Sequence, residues 1–355
     1  MTEPINLLEL DRAGLQDLLQ GWGQPAFRAG QLWRWLYRDL ATDFAQMTNL
    51  PAELRQILAE RATAQPYRLL DAQVSADGET RKVLLELPDG ETIEAVLMLY
   101  ARRRTACIST QVGCPIRCPF CATGMAGLRR NLTAGEIVLQ ALHLARLAQP
   151  LTPAGERPLT NIVYMGMGEP LLNYDAVWRS VGVLTDPDGF GLGARHITIS
   201  TAGVVPGIRR LAGEGAQVGL AVSLHAPDDA LRNRLVPLNR RYPLNQLMPA
   251  LRDYIAATGR RVTFEYALIA GVNDAPAQAE ALAELLAGLT AHVNLIPVNP
   301  APGSPYRPSP RPAVDAFVAI LRARHVPVSV RLRRGIDVQA GCGQLRSRRL
   351  NSPAS

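Results

Sequence analysis

The feature that most constrains the fold is a regular alternation of strand and helix patterns between Thr105 and Pro297. Apolar, β-branched runs of strand length are each followed by a longer segment with the apolar period of a helix. Such alternation is typical of parallel strands joined by crossover helices. About six strands fall in this region, fewer than the eight of a complete barrel. We therefore predict an α/β fold, a partial (β/α)6 barrel of the TIM type.

The patterns on either side of this region differ from it and predict further domains. The N-terminal part carries leucines at helical spacing. It is followed by three strand patterns separated by Asp-Gly pairs, which are strong hairpin signals. Proline and glycine crowd the stretch from Pro297 to Pro312, which marks a linker. The predicted units are a small helical domain (1–66), an antiparallel β-meander (67–100), the barrel (101–300) and a C-terminal extension (301–355).

Three cysteines lie close together just after the first barrel strand. Cys114, Cys118 and Cys121 are spaced C-x3-C-x2-C, with no fourth cysteine or histidine nearby. A structural zinc site normally has four protein ligands, whereas an iron–sulfur cube is held by cysteine thiolates. Three thiolates on such a cube leave one iron open to another ligand. The spacing therefore favours an iron–sulfur site over three unrelated thiols.

Composition bounds the class of protein. Five cysteines in 355 residues, an odd number, argue against a disulfide scaffold and leave Cys107 and Cys342 without a role from spacing. The 47% hydrophobic content is ample for a core. No apolar run approaches the roughly 20 residues of a membrane helix, and the first ten residues carry Glu3 and Glu9 instead of a basic signal region. We expect a cytoplasmic protein.

The net charge of +7 is carried almost entirely by arginine, and Lys82 is the only lysine. Arginine pairs with phosphate through a planar fork, which fits a nucleic-acid partner. A general preference of the genome for arginine explains the same composition equally well. The runs Arg102–Arg104 and Arg346–Arg349 are candidate RNA contacts, although a charge run is more often a solvated surface.

Polar and glycine-rich signals follow the predicted barrel strands. Ligands of parallel α/β folds bind beyond the carboxyl ends of the strands, so these signals should face one site. Glycine lets a ligand approach the backbone, and a glutamate among these residues could bind the ammonium of an amino acid. Ordinary turn chemistry, and a core role for the histidine, are the alternatives. The residues concerned are Gly168, Glu169, Ser200, Ser223, His225 and Asn299.

Four segments, taken with the cysteine motif, resemble the RlmN family of radical S-adenosylmethionine (SAM) methyltransferases. They are Cys107–Cys114, Gly166–Asn173, Ser223–Ala226 and Ala340–Leu345. The likeness extends from the N-terminal helical segment to Leu345. The chain departs from the family pattern at Gly341, where the family usually has alanine. The resemblance implies that the barrel is a radical SAM barrel.

The resemblance also implies a role for individual residues. Cys342 would be the cysteine that carries the methyl group, Cys107 its resolving partner, and Glu94, to which sequence pattern alone gives no role, the proton acceptor. Three cysteines would hold a 4Fe–4S cluster: Cys114, Cys118 and Cys121. The contacts to SAM would be Gly168, Glu169, Ser200, Ser223, Leu224, His225 and Asn299.

The activity implied by the resemblance is methylation of adenine C2 in 23S rRNA and in tRNA, with two SAM molecules used per turnover. An electron donor such as flavodoxin or ferredoxin would be needed, and we expect a monomer. The resolving role requires the Cα atoms of Cys107 and Cys342 to come within about 4.4–6.8 Å of each other. Two alternatives remain: a Cfr-type enzyme that methylates adenine C8, and a non-catalytic iron–sulfur or zinc RNA-binding module.

Overall fold

The computed structural model describes residues 4–299, 304–331 and 338. Most of this chain belongs to one mixed α/β unit built on a large sheet. The helices are α1 Arg12–Gly21, α2 Phe27–Tyr37, α3 Ala52–Arg61, α4 Ala122–Ala126, α5 Ala134–Ala148, α6 Tyr174–Thr185, α7 Val205–Gly213, α8 Asp229–Leu235, α9 Leu244–Thr258, α10 Pro276–Leu285 and α11 Arg311–Ala323. The strands are β1 Ile5–Asn6, β2 Ala62–Thr63, β3 Arg68–Val74, β4 Thr80–Glu86, β5 Thr92–Tyr100, β6 Arg103–Cys107, β7 Gln111–Gly113, β8 Leu128–Asn131, β9 Asn161–Tyr164, β10 Ile197–Thr201, β11 Gly219–Ser223, β12 Val262–Leu268, β13 Ala291–Pro297 and β14 Val328–Val330.

Within the described residues, the main sheet has ten strands in the order β14-β13-β12-β11-β10-β9-β6-β5-β4-β3. From β6 to β14 every neighbouring pair is parallel, which confirms the predicted α/β barrel wall. Strand β14 adds a seventh parallel strand to the six predicted. On the other side of β6 the strands β5, β4 and β3 are antiparallel. The predicted meander is therefore a continuation of the barrel wall.

Helix α5 joins the parallel sheet to the N-terminal segment. It begins with a capping box, in which Thr133 Oγ1 accepts from the Glu136 backbone N–H and Glu136 accepts from the Thr133 N–H. Nearly every residue of α5 is buried, because the sheet covers one face and other elements cover the rest. Leu7 and Leu8, in the turn before α1, are buried in the same hydrophobic core as α5. The N-terminal helices thus share the core of the barrel.

Aromatic residues of the N-terminal helices contribute to this core. The Trp33 ring is buried and lies 4.3 Å, centroid to centroid, from the Tyr37 ring. Trp35 is half-buried and its indole N–H donates to Asn49 Oδ1 at 2.6 Å. Both side chains stabilise the helical segment. Among the described residues, no helix has the length and apolar character needed to cross a membrane.

Candidate active site

A cavity of about 370 Å³ lies at the carboxyl ends of the parallel strands. Strand ends are where a ligand site is expected in such a fold. Ten of the predicted site residues line the cavity: Cys107, Cys114, Cys118, Cys121, Gly168, Glu169, Ser200, Ser223, His225 and Asn299. Leu224 does not line it, because its side chain is buried in the main core. Cys342 lies outside the described residues, so the predicted approach of Cys107 and Cys342 stays a prediction.

The cluster loop, residues 114–121, is closed by a small two-stranded sheet that the sequence did not predict. Strand β7 leads directly into the loop, β8 follows α4 after it, and the two strands pair antiparallel. The Cys114 N–H donates to the Gly127 carbonyl at 3.0 Å. Gly113 has φ +81°, and a Cβ at this position would overlap the Gly127 carbonyl oxygen. Only glycine fits there, so the backbone gathers the cysteines into one short loop.

The sulfurs of the cluster loop are largely withdrawn from water. Burial raises the pKa of the Cys114 thiol to about 12 and that of Cys118 well above its usual range. Nearby thiols raise both pKa values further, while the charge of Arg232 lowers that of Cys118. Thiolates in this position need a positive partner, and coordination to metal provides one.

The donor set fits a cluster better than a single metal ion. In the described part of the chain, no three Cys, His, Asp or Glu side chains converge in the way that ligands of one ion do. In a 4Fe–4S cube each cysteine binds a different iron, so three thiolates must be grouped but need not meet at one point. Cys114, Cys118 and Cys121 meet that requirement by lining one cavity.

Glu169 is an anionic group fixed by backbone donors at the cavity wall. It is 2% exposed. Its Oε1 accepts from the Leu171 N–H at 3.1 Å and its Oε2 from the Ala202 N–H at 2.6 Å. Burial raises the pKa of the carboxyl to about 7, although these hydrogen bonds oppose the rise. An ammonium beside it would favour the ionised form, so the site suits the amino end of an amino acid.

A glutamine that sequence reasoning left without a role positions Glu169. The Gln111 Oε1 accepts from the Glu169 N–H at 2.8 Å, and its Nε2 donates to Asn131 Oδ1 at 2.7 Å. Gly168 precedes Glu169 with φ +102°, and a Cβ there would lie 2.7 Å from Gln111 Cβ. Gln111 therefore joins the cluster-loop sheet to the glycine-rich turn.

His225 is both a structural residue and part of the cavity wall. Its Nδ1 accepts from the Ala267 N–H at 3.0 Å, and its carbonyl accepts from Asn273 Nδ2 at 2.8 Å. The Phe120 ring packs edge-on, with centroids 5.0 Å apart. Burial lowers the pKa of His225 to about 3, and Arg232 lowers it further. The imidazole is therefore neutral, with its proton on Nε2.

Glu94 and Cys107 lie on the same face of the main sheet. Val96 on β5 is paired directly with Cys107 on β6, and both line the cavity. Side chains alternate along a strand, so Glu94, two residues from Val96, is on this face too. Glu94 is 3% exposed, in contrast to the solvent position usual for a lone strand glutamate. Its carbonyl accepts from Ser109 Oγ at 2.6 Å.

Among the described residues, two buried cations near the site had no role assigned to them from sequence. Lys82, the only lysine, is 1% exposed and is paired with Val96, so it shares the face of Glu94. Arg232 on α8 is 0% exposed. Lys82 stood out in the sequence as the only lysine, but its burial could not be read from composition. The position of Arg232 could not be read from sequence, because it depends on how α8 packs.

Within the run Arg102–Arg104, a candidate RNA contact, Arg104 does not fit that role. Arg104 is buried, and its guanidinium donates to the carbonyls of Pro158 at 3.1 Å and Arg157 at 2.8 Å. It also pairs with Glu156 at 2.7 Å. These bonds hold the Arg104 guanidinium against the protein, where its side chain is only 9% exposed. Arg102 and Arg103 are exposed, and the Arg103 guanidinium lies 4.3 Å from the centroid of the Tyr100 ring at the cavity edge.

Comparison with known proteins agrees with this geometry. Residues 5–64 match the family model described as the ribosomal RNA large subunit methyltransferase N-terminal domain, and residues 108–285 match the radical SAM superfamily. A crystal structure of a radical SAM methyltransferase from Sphaerobacter thermophilus superposes with a TM-score of 0.92 at 53% identity, covering 96% of this chain and 99% of that chain.

Curated relatives are similar over nearly their whole length. A probable dual-specificity RNA methyltransferase RlmN from Chloroflexus aurantiacus is 51% identical, covering 96% of this chain and 93% of the relative. Another from Moorella thermoacetica is 51% identical, covering 98% of each.

The barrel, the three-cysteine loop and the cavity at the strand ends together define a radical SAM enzyme. This class excludes the alternative of a non-catalytic RNA-binding module. The chain belongs to the RlmN family of RNA methyltransferases.

Proposed function

We propose that this enzyme methylates C2 of an adenine in 23S rRNA and in tRNA, through a methyl group carried on Cys342. The observation that carries the proposal is one cavity lined by the three cluster cysteines, by six of the predicted SAM contacts and by Cys107. The relatives named RlmN, described as dual-specificity RNA methyltransferases, support both classes of RNA as substrates.

The cofactors account for the chemistry that side chains cannot perform. Adenine C2 is an sp2 carbon too weakly nucleophilic to take a methyl group from SAM directly, and the 4Fe–4S cluster and SAM together would supply the carbon radical required. Cys114, Cys118 and Cys121 would each bind one iron and leave the fourth for SAM. Glu169 would bind the SAM ammonium, with Gly168 leaving room for the ligand beside the backbone.

The remaining polar residues of the cavity wall would orient SAM. Ser200, Ser223 and Asn299 offer hydrogen bonds to a carboxylate or ribose, and His225 offers its Nε2 proton. Leu224 would contribute only its backbone, since its side chain is in the core.

Two side chains on the shared sheet face would complete the transfer. Glu94 would accept the proton from adenine C2. With the unpaired electron of the adduct returned to the cofactor site, the Cys107 thiolate would then attack the Cys342 sulfur. The bond between that sulfur and the methylene carbon would break with its electron pair left on the carbon, which would take up a proton to complete the methyl group of the released base. A Cys107–Cys342 disulfide would remain, and an external reductant would have to reduce it before the next turnover.

The test is mass spectrometry of RNA treated with the anaerobically reconstituted enzyme, SAM and a reductant. We expect 2-methyladenosine in 23S rRNA fragments and in tRNA, with 5′-deoxyadenosine and methionine as co-products. Formation of 8-methyladenosine instead would assign the enzyme to the Cfr type. Release of 5′-deoxyadenosine without a methylated adenine of either kind would refute the proposal.

Cys342→Ala is the matched variant for this experiment. Without a carrier thiol, RNA methylation should fall below detection, while the iron content should equal that of the parent protein because the three cluster cysteines are intact. Methylation by this variant at the parental rate would rule out the carrier role of Cys342.

We also propose that a flavodoxin or ferredoxin supplies the electron, and that the enzyme works as a cytoplasmic monomer. The net charge of +7 is consistent with an RNA substrate.

A further inference from the structure

Arg232 is a fully buried arginine whose side chain ends behind the cavity wall. Its Nη2 donates to the Ala202 carbonyl at 2.6 Å and to the Ser223 carbonyl at 3.3 Å, and its Nε donates to the Leu224 carbonyl at 3.1 Å. Its Nη1 donates to Asn239 Oδ1 at 2.6 Å. The Ala202 carbonyl comes directly after β10, the Ser223 carbonyl is the last of β11, and the Leu224 carbonyl comes directly after β11. One guanidinium thus ties together two strand ends that line the cavity.

Arg232 has no directly paired acid, although the charge of Asp229 on the same helix raises its pKa from a distance. No carboxylate of the described residues lies within ion-pair distance of it. The link to Asp229 is indirect, through the Asn239 amide, which donates to Asp229 Oδ1 at 2.8 Å. A buried cation is costly unless an anion compensates it. Carbonyl dipoles satisfy its hydrogen bonds but do not neutralise its charge.

The cluster loop, with its cysteines, packs close enough to α8 to hold an anion that compensates Arg232. Leu231 and Leu235, which flank Arg232 on α8, pack in one hydrophobic group with Ile116 of the loop, and Cys114 and Cys118 pack against that group. Ala202, whose carbonyl accepts the hydrogen bond from Arg232 Nη2, belongs to the same hydrophobic group. The helix therefore holds its cation beside the cluster thiolates.

We propose that Arg232 is a positioning residue whose buried charge compensates the cluster held by Cys114, Cys118 and Cys121 and favours its reduced form. The proposal rests on the proposed function only in requiring that cluster. Reduction adds one electron from a donor to the cluster, so the reduced form is the more negative by one charge. A fixed cation in a low-dielectric surrounding stabilises that form more than the oxidised one, and net charge is among the factors that set cluster potentials.

The test is a redox titration of the reconstituted protein without RNA, using reduced mediator dyes and the electron paramagnetic resonance signal of the reduced cluster. Arg232→Gln removes the charge but keeps an amide donor, and Arg232→Lys keeps the charge but not the planar fork. We expect Arg232→Gln to lower the equilibrium constant for reduction about tenfold, which is 59 mV for one electron. Arg232→Lys should stay within about threefold of the parent protein.

Arg104→Gln is the matched control, because Arg104 is a buried arginine that also binds loop carbonyls, but at the amino end of β6. It should leave the potential unchanged. An unchanged potential in Arg232→Gln, or an equal shift in Arg104→Gln, would overturn the proposal.

Variants that lose the cluster also decide the question. If Arg232→Gln loses iron and Arg232→Lys retains it, the charge is what the site requires, in agreement with the proposal. If both lose iron or fail to fold, the hydrogen bonds of the guanidinium matter and the charge does not, and the proposal fails. Because no RNA is present, none of these results depends on methylation.

Discussion

At the scale of single residues, Glu169 makes the most direct prediction about cofactor binding. Its carboxylate is fixed by two backbone donors and lines the cavity. A charge-assisted hydrogen bond to an ammonium is worth about 1.5–3 kcal/mol. Glu169→Gln should therefore raise the Kd for SAM about 10- to 150-fold, measured by anaerobic equilibrium dialysis.

The control is Glu284→Gln, which makes the same change on the surface and should bind SAM as the parent does. Equal SAM affinities in Glu169→Gln and the parent protein would contradict the ammonium-binding role.

Cys107 makes a prediction about how the product leaves. If its thiolate releases the methylated base from Cys342, Cys107→Ala should stop with RNA covalently attached to the protein. The adduct would migrate as a slow band on a denaturing gel. Treatment with ribonuclease would return that band close to the position of the free protein. The double variant Cys107→Ala/Cys342→Ala should form no such band, and a Cys107→Ala enzyme that turns over without an adduct would exclude the resolving role.

Sequence reasoning identified residues whose side-chain chemistry or motif marked them, and missed those whose role depends on packing. Cys114, Cys118 and Cys121 stand out because few sites use three thiols at this spacing. Glu94 gave no signal of its own, since which face it occupies depends on the register of β5 against β6. Arg232 looked like one basic residue among many, because its burial results from the docking of α8.

At the scale of elements, the contact between α5 and the start of β3 contains a group sensitive to pH. His143 on α5 is hydrogen-bonded through Nδ1 to Tyr67 Oη at 2.8 Å. Burial lowers the pKa of His143 to about 4, and Arg146 lowers it further. The folded chain thus favours neutral His143. This preference stabilises the fold fully above the unfolded pKa of 6.5, and the stabilisation is lost as the pH falls towards 4.

The expected result is a loss of at most about 3 kcal/mol in the free energy of unfolding between pH 7 and pH 4 from this group. Urea titrations of the metal-free chain would measure it. His143→Gln should lose less stability over that range than the parent protein. His196→Gln, the same change at an exposed histidine, serves as the control. Parallel pH profiles for His143→Gln and the parent would show that His143 does not titrate in this way.

The predicted barrel elements agree closely with the structure, whereas the short strands were missed. Helices α7 and α9 are marked in the sequence by apolar periodicity and by flanking prolines or glycines. Strands β7 and β8 have three and four residues, too few for a period to be detected. They form because closing the cluster loop brings their backbones together.

At the scale of the whole molecule, the N-terminal segment and the barrel share one hydrophobic core and should unfold together. Leu7 is fully buried in the turn that packs on α5. Leu7→Ala should lower the free energy of unfolding by about 2–5 kcal/mol, through lost burial and a new cavity. In a Trp178→Phe background, where the remaining tryptophans (Trp22, Trp33 and Trp35) lie in the N-terminal segment, the same shift should be seen by tryptophan fluorescence and by hydrogen exchange of β11.

Leu151→Ala, a change at an exposed leucine, is the control and should leave the transition in place. A shift in fluorescence with no shift in β11 exchange would mean that the N-terminal helices fold as a separate unit.

The sequence predicted the correct class of fold but divided the chain more sharply than the structure does. The meander was separated from the barrel because its strands are joined by tight hairpins and not by helices. Pairing of β5 with β6 joins the meander to the barrel, and no local sequence pattern indicates such a pairing. Shared burial of Leu8 and Leu139 likewise depends on tertiary contact alone.

Continuity of the ten-stranded sheet has a consequence for how the lengths of related chains can vary. Inserting one residue between Thr92 and Glu94 would turn the glutamate to the opposite side of β5, where Ile93 and Ala95 are packed. Inserting two would restore its side but displace it by about 7 Å along the strand. The turns at Gly78 and Gly90 lie outside the pairing and tolerate added residues. Gains and losses of residues among homologues should therefore collect in those turns and spare β5, the strand that carries Glu94.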